Sequence, residues 1–92
     1  MKKEKTCRGF SIIKFKDSYD NPCSLQMSSS AMEDKIWLGI DDANPQICAP
    51  GNCWIKYDIP KEVMLHTRMH LTKDQVKDLL PHLQKFVKTG EI

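Results

Sequence analysis

The chain has 92 residues, 40% of them hydrophobic and 28% charged, and a formal net charge of +2. This is the composition of one globular domain with a modest core, and a charge so near balance argues against a nucleic-acid-binding surface. No apolar run approaches the roughly 18 residues of a membrane span, and no signal peptide follows the N-terminal lysines. We therefore expect a single cytoplasmic domain over residues 1–92, with neither a membrane nor a nucleic acid as partner.

The N-terminal part of the chain predicts a β-hairpin after a short tail. Residues 1–8 contain three lysines and predict a flexible basic tail. Phe10–Lys16 is rich in β-forming residues and predicts a strand. Asp17–Pro22 concentrates turn residues, and Cys23–Ser28 then alternates between polar and apolar side chains, the pattern of a half-buried strand. The two strands are short and close in sequence, so we expect them to pair antiparallel.

The middle of the chain predicts one central strand between two irregular segments. Ser29–Lys35 predicts a tight loop or a single helical turn, because Ser30 and Glu33 are spaced as a capping box. Ile36–Ile40 is a short apolar run and predicts the central strand. Asp42–Lys61 contains three prolines and a glycine and predicts a long irregular loop.

The C-terminal part predicts a strand that leads into an amphipathic helix. His66–Leu71 alternates between polar and apolar residues, and Leu71–Glu91 has the apolar spacing of one helical face. Thr72 and Gln75 can form a capping box at its start, and Gly90 is the expected stop. The apolar stripe of this helix consists of Val76, Leu79, Leu80, Leu83, Phe86 and Val87.

These elements together predict an α+β fold, a small antiparallel sheet of three or four strands with the C-terminal helix packed on one face. We expect the stripe of the helix to contact Leu25, Met27, Trp37 or its neighbours, and Met69. A domain this small has a limited core, so we also expect a homo-oligomer. A second copy would cover either the edge formed by Phe10–Lys16 or the apolar run Ile36–Ile40.

The four cysteines leave three interpretations open. A disulfide framework needs a secretory signal, which is absent. Structural zinc is disfavoured because the closest pair, Cys48 and Cys53, is not a CxxC motif. A redox pair formed by these two residues is a further alternative, and free thiols are the interpretation we prefer.

Catalytic motifs are missing from the sequence, which has no GxSxG, no HExxH and no glycine-rich phosphate loop. Two alternatives nevertheless remain. Acidic residues such as Glu33 and Asp34 could hold a magnesium ion in a small metal-dependent hydrolase. Ser28 could pair with His70 on one face of the sheet, although nothing in the sequence orients the histidine. We predict no catalytic residue, no metal and no cofactor.

The polar side of the predicted sheet has two interpretations. It is either an ordinary solvated face or a surface that recognises a ligand. In the second case Arg68 would bind a phosphate as a bidentate donor, and Trp37 would stack on a base or pack against a partner. The predicted ligand-binding residues are Gln26, Ser28, Ser30, Glu33, Asp34, Trp37, Arg68 and His70.

Two strings of the sequence carry a family resemblance, CSLQMSSSAMEDKIWLGIDDANPQI (Cys23–Ile47) and TRMHLTKDQVKDLLPHLQKFVKTGEI (Thr67–Ile92). They resemble a family of small proteins encoded by bacteriophages and prophages. Its members carry a serine-rich SxxxEDxIWLG block, a variable middle loop, and an RMHLT sequence that leads into a helix ending near TGEI.

The resemblance implies an accessory protein that acts in the cytoplasm of the host cell. Small phage proteins of this kind commonly inhibit or sequester host defence components, and many form small oligomers. The implied partner is therefore a host protein or a small nucleotide signal. A structural, assembly or regulatory phage protein without a soluble ligand is the alternative, and a metal-dependent hydrolase is less favoured.

Overall fold

The structure is a computed structural model that describes residues 1–51 and 53–92. Within these residues five strands form an antiparallel sheet in the order β1-β2-β3-β4-β7, and β5 and β6 pair as a separate hairpin. One helix follows the last strand. The α+β class is confirmed. The elements are β1 Lys2–Lys5, β2 Ser11–Lys16, β3 Pro22–Met27, β4 Lys35–Ile40, β5 Gln46–Cys48, β6 Trp54–Lys56, β7 Arg68–Thr72 and α1 Lys73–Thr89.

Two segments that the sequence predicted as irregular contain strands, and the first of them brings the main sheet to five strands rather than three or four. The expected flexible tail over residues 1–8 forms β1, which pairs antiparallel with β2 and makes β2 an internal strand. The expected irregular loop over residues 42–61 contains the β5–β6 hairpin, in which Ile47 is opposite Ile55. Backbone pairing stabilises β1 although its sequence, KKEK, contains no apolar residue.

The turn between β2 and β3 is held by one carboxylate. Asp17 Oδ1 accepts hydrogen bonds from the backbone N–H groups of Tyr19 and Asn21, both at 2.9 Å, and Oδ2 accepts one from the Asn21 side chain at 3.1 Å. The Asn21 backbone donor is the main reason that the pKa of Asp17 lies below its ordinary value. The predicted hairpin is thus confirmed, with an Asx-type turn between its strands.

The antiparallel register sorts the strand residues onto two faces of the sheet. The polar face carries Lys2, Glu4, Ile12, Lys14, Ser24, Gln26, Trp37, Arg68 and His70. The apolar face carries Lys3, Lys5 and Ser11 at its β1–β2 end, and otherwise Ile13, Phe15, Cys23, Leu25, Met27, Ile36, Leu38, Ile40, Met69 and Leu71. The division of β3 and β7 into polar and apolar sides is the one that their alternating sequences predicted.

Gly39 sets the distance between β4 and β7. Its partner in register is Arg68, and an added Cβ would lie 2.8 Å from the Arg68 Cα and in still closer contact with the Thr67 carbonyl oxygen. The same carbonyl accepts a hydrogen bond from the Ile40 N–H at 3.1 Å. A side chain at position 39 would therefore push β7 away from the sheet.

Both ends of the helix are formed as the sequence predicted. Gln75 N–H donates to Thr72 Oγ1 at 3.2 Å, and Thr72 N–H donates to Gln75 Oε1 at 2.9 Å, which completes the capping box. Gly90 is left-handed at φ 79°, and its N–H donates to the Phe86 carbonyl at 2.8 Å. No helix in the described residues is both long and apolar enough to cross a membrane.

The helix meets the sheet through its first turn. Val76 lines a cavity of about 330 Å³ together with Met27, Ile36 and Leu71 of the apolar face. Beyond that turn the stripe is open, and Leu83 and Phe86 are 50% and 55% exposed. Because β7 ends at Thr72 and the helix begins at Lys73, no connecting residues exist that would let the helix turn back over the sheet.

The register distinguishes Trp37 from its neighbours as contacts of the helix. Trp37 lies opposite His70 in β7, which places it on the polar face, whereas its neighbour Ile36 shares a cavity with Val76 of the helix. Little of the chain is fully buried. Among the described residues Cys23 is the only buried hydrophobic one, and burial raises the pKa of its thiol. All four cysteines are free thiols, and Cys7, Cys48 and Cys53 are exposed.

Candidate functional site

The polar face brings a compact group of functional side chains together where β3, β4 and β7 lie side by side. Gln26, Trp37 and His70 form one row across the three strands. Arg68 lies two residues before His70 and opposite Gly39, so its partner in register has no side chain. We call the group formed by Gln26, Ser28, Trp37, Arg68 and His70 the Arg–Trp–His cluster.

Two aromatic rings and one cation form the centre of this cluster. The rings of Trp37 and His70 are stacked, with centroids 3.8 Å apart and planes inclined by 7°. The guanidinium carbon of Arg68 lies 5.4 Å from the centroid of the Trp37 ring. A stack of this kind contributes about 0.5–1.5 kcal/mol and a cation–π contact of an exposed pair about 0.5–1 kcal/mol. These contacts hold all three side chains in one arrangement.

Arg68 is positioned by a neutral partner. One of its guanidinium N–H groups donates to Gln26 Oε1 at 3.1 Å. Among the ion pairs of the described residues none includes Arg68. Since a guanidinium carries five N–H donors, this geometry leaves donors that can bind an oxyanion in bidentate fashion.

His70 is oriented by a serine, which the sequence alone did not establish. The Oγ atom of Ser28 lies 2.8 Å from His70 Nε2 and also accepts a hydrogen bond from the Ser30 N–H at 3.2 Å. Ser28 is only 9% exposed, whereas His70 is exposed. The hydroxyl is therefore placed to hold the imidazole rather than to attack a substrate, and no carboxylate in the described residues forms a hydrogen bond with His70.

The acidic residues predicted for the site form ion pairs with lysines and not with Arg68 or His70 of the cluster. Glu33 and Asp34 belong to the loop before β4, where Glu33 pairs with Lys35 at 3.3 Å and Asp34 pairs with Lys73 at 3.4 Å. Ser30 reaches the cluster only through its hydrogen bond to Ser28. Within the part of the chain that the structure describes, no group of three or more potential metal ligands forms. The predicted residues thus divide into the cluster and a separate acidic loop.

Several polar-face residues were missed by the sequence analysis. Ser24 is fully buried, and its hydroxyl donates to Asp41 Oδ1 at 2.6 Å. Lys14 is opposite Ser24, and Lys2 is opposite Lys14, so both lie on this face with Arg68, as do Lys16 opposite Pro22 and Lys35 opposite Thr72. The alternation of β2 could have revealed Lys14, but Lys2 reaches this face only because β1 forms. The polar face is consequently richer in cations than the sequence indicated.

Comparison of the chain with protein-family models, curated proteins and solved structures found no match. The function is therefore inferred from the arrangement of the cluster.

Proposed function

We propose that this chain is a small phage-encoded binding protein that sequesters a nucleotide-like ligand of the host on its polar face. The observation that carries the proposal is the fixed stack of Trp37 and His70 beside Arg68. This combination offers a flat apolar surface and a bidentate cation within one small area. A planar ring that carries a phosphate needs both.

The phosphate would bind at Arg68. The Gln26 side chain already fixes one edge of the guanidinium, so the side chain loses little further freedom when an anion arrives. Lys14 and Lys2 on the same face add positive charge that attracts an anionic ligand. Glu4 partly offsets this charge, because its carboxylate lies 3.9 Å from Lys14 Nζ.

The ring of the ligand would continue the existing stack. One face of the His70 imidazole is covered by Trp37, while the residue as a whole is exposed at the outer strand of the sheet. A base placed on the outer face of the imidazole would extend the stack to three rings. Stacking of a base on an aromatic side chain is worth about 1–3 kcal/mol.

The same cluster also supports a host protein as the partner. Tryptophan and arginine are the residues that most often dominate the energy of protein interfaces. The nucleotide is preferred here because Arg68 has a neutral partner and shares its face of the sheet with Lys14 and Lys2, which suits a phosphate.

The experiment is a thermal-shift screen of the purified chain with a panel of mononucleotides and cyclic oligonucleotides, each with and without magnesium. A ligand present at about 100 times its dissociation constant stabilises the folded state by about 2.7 kcal/mol. We expect Arg68→Ala to weaken binding by roughly 10- to 100-fold, since a hydrogen bond to a charged group contributes about 1.5–3 kcal/mol.

Arg8→Ala is the matched control, because Arg8 also lies over an aromatic ring, 5.7 Å from the centroid of Phe10. It should leave the ligand-induced shift unchanged. A shift that survives Arg68→Ala, or the absence of a shift with every nucleotide, would refute the proposed ligand. In the second case, retention of a host protein by the wild type but not by Trp37→Ala would support the protein partner instead.

A further inference from the structure

The chain exposes more surface than a folded monomer of its mass should. Its accessible surface is 8016 Å², whereas a monomer of 10.6 kDa is expected to expose about 5,500 Å². Its radius of gyration is 16.5 Å against about 12 Å for a compact domain of this length. The excess is roughly 2,500 Å² for each chain, and a third of it would supply the ~800 Å² that each partner buries in a standard interface.

Two apolar surfaces contribute to this exposure, and they adjoin one another at the first turn of α1. One is the apolar face of the sheet, on which Met69 is 52% exposed. The other is the stripe of α1, on which Leu80 is 47% exposed. They meet where Val76 shares a cavity with Met27 and Ile36, and a second cavity of about 290 Å³ continues from these two residues to Leu25.

The helix covers the sheet of its own chain only at its first turn. Thr72 is both the last residue of β7 and the N-cap of α1, and both hydrogen bonds of the capping box fix the direction in which the helix leaves. A helix that folds back over a sheet needs a connection of about two to six residues, and here there is none. Beyond the first turn of α1, each chain thus has an apolar stripe with no sheet against it and an apolar face with no helix over most of its strands.

We propose that a second copy of this chain covers the apolar face, and that each copy lays the stripe of its helix across the sheet of the other. The dimensions agree. The stripe from Val76 to Val87 is about 16 Å long, and four neighbouring strands span about 14 Å between the first and the last. Reciprocal use of the same two surfaces gives a closed pair with twofold symmetry, the commonest form of homo-oligomer.

This arrangement leaves the polar face free in both copies, because the Arg–Trp–His cluster lies on the other side of the sheet. The proposal therefore does not rest on the proposed function. It does specify how the expected oligomer forms. The apolar residues of Ile36–Ile40 take part, while Phe10–Lys16 is not an edge, since β1 already pairs with β2.

The first experiment measures the mass of the full chain by light scattering over a range of concentrations. We expect a pair of about 21 kDa, twice the 10.6 kDa of one chain. Leu83→Glu places a charge in the centre of the stripe and should raise the dissociation constant by about 100-fold or more. His82→Glu puts the same side chain at the adjacent position, off the stripe, and should leave the pair intact. A wild-type monomer, or a pair that tolerates Leu83→Glu, would overturn the proposal.

A second measurement keeps the proposal testable if Leu83→Glu fails to fold. A photoreactive phenylalanine analogue at position 83, in a mixture of isotope-labelled and unlabelled chains, should cross-link to peptides of β3 or β4 from the other copy. Mixed-isotope products that map to the apolar face would support the arrangement. Cross-links found only within one chain, or between two helices, would overturn it.

Discussion

Gly39→Ala should strongly destabilise the fold because it removes the close approach of β4 and β7. The new Cβ would lie 2.8 Å from the Arg68 Cα, well inside the ~3.5–4.0 Å at which two carbon atoms attract. Overpacking of this kind costs about 1–3 kcal/mol, and the positive φ of 154° adds strain of about 1 kcal/mol. A total of about 2–4 kcal/mol corresponds to a melting temperature lower by at least about 8 °C.

The measurement is thermal unfolding followed by circular dichroism at one fixed protein concentration. Gly9→Ala is the matched control, because Gly9 also has a positive φ, of 85°, but has no atom within 4 Å of the added Cβ. Its cost should be limited to backbone strain of about 1 kcal/mol. If the two variants melt within about 2 °C of one another, the close contact at Gly39 is not a significant constraint and the reasoning is wrong.

Three further predictions concern single hydrogen-bonded groups. Thr72→Ala should lower the free energy of unfolding, measured in urea, by about 1 kcal/mol because the helix loses its N-cap, and Thr72→Ser should retain most of the stability of the wild type. Equal stabilities of Thr72→Ala and the wild type would contradict the role of the capping box. Because the pKa of Asp17 is lowered in the folded state, its carboxylate stabilises the fold above the unfolded pKa of about 3.9, and this stabilisation is lost as the pH falls through the folded value. The difference in stability between the wild type and Asp17→Asn should therefore shrink below about pH 4. A difference that does not depend on pH would argue against this turn. Asp41→Ala should destabilise the fold by about 1 kcal/mol more than Ser24→Ala does. The first variant leaves the fully buried Ser24 hydroxyl without its acceptor, whereas in the second the exposed Asp41 carboxylate can bind water instead. The reverse order of stabilities in paired urea titrations would contradict this prediction.

The elements that could be predicted from the sequence are those with strong local signals. The alternation of β3 and β7, the apolar spacing of α1, and the Thr72–Gln75 capping box each act within a few residues, and all appear in the structure. β1 could not be predicted from the sequence, because its four residues are all charged and its extended conformation is stabilised by backbone pairing with β2.

The sequence predicted which residues belong to the candidate site better than it predicted how they are arranged. Alternation placed Gln26, Arg68 and His70 on one face, but only the register shows that Trp37 lies opposite His70 and stacks on it. Glu33 and Asp34 are close to Trp37 in sequence, yet each is held by a lysine outside the cluster. Sequence proximity cannot distinguish a side chain at the end of a strand from one in the loop before it.

The last strand links the two surfaces of the molecule. β7 is five residues long, with Arg68 and His70 pointing to one side and Met69 and Leu71 to the other, and it runs without a break into the helix. A movement of α1 would therefore act on the strand that carries the guanidinium and the imidazole. If ligand capture and pairing of chains both depend on this strand, each must change the affinity of the other by the same factor, so the protein concentration itself would tune how tightly the ligand is held.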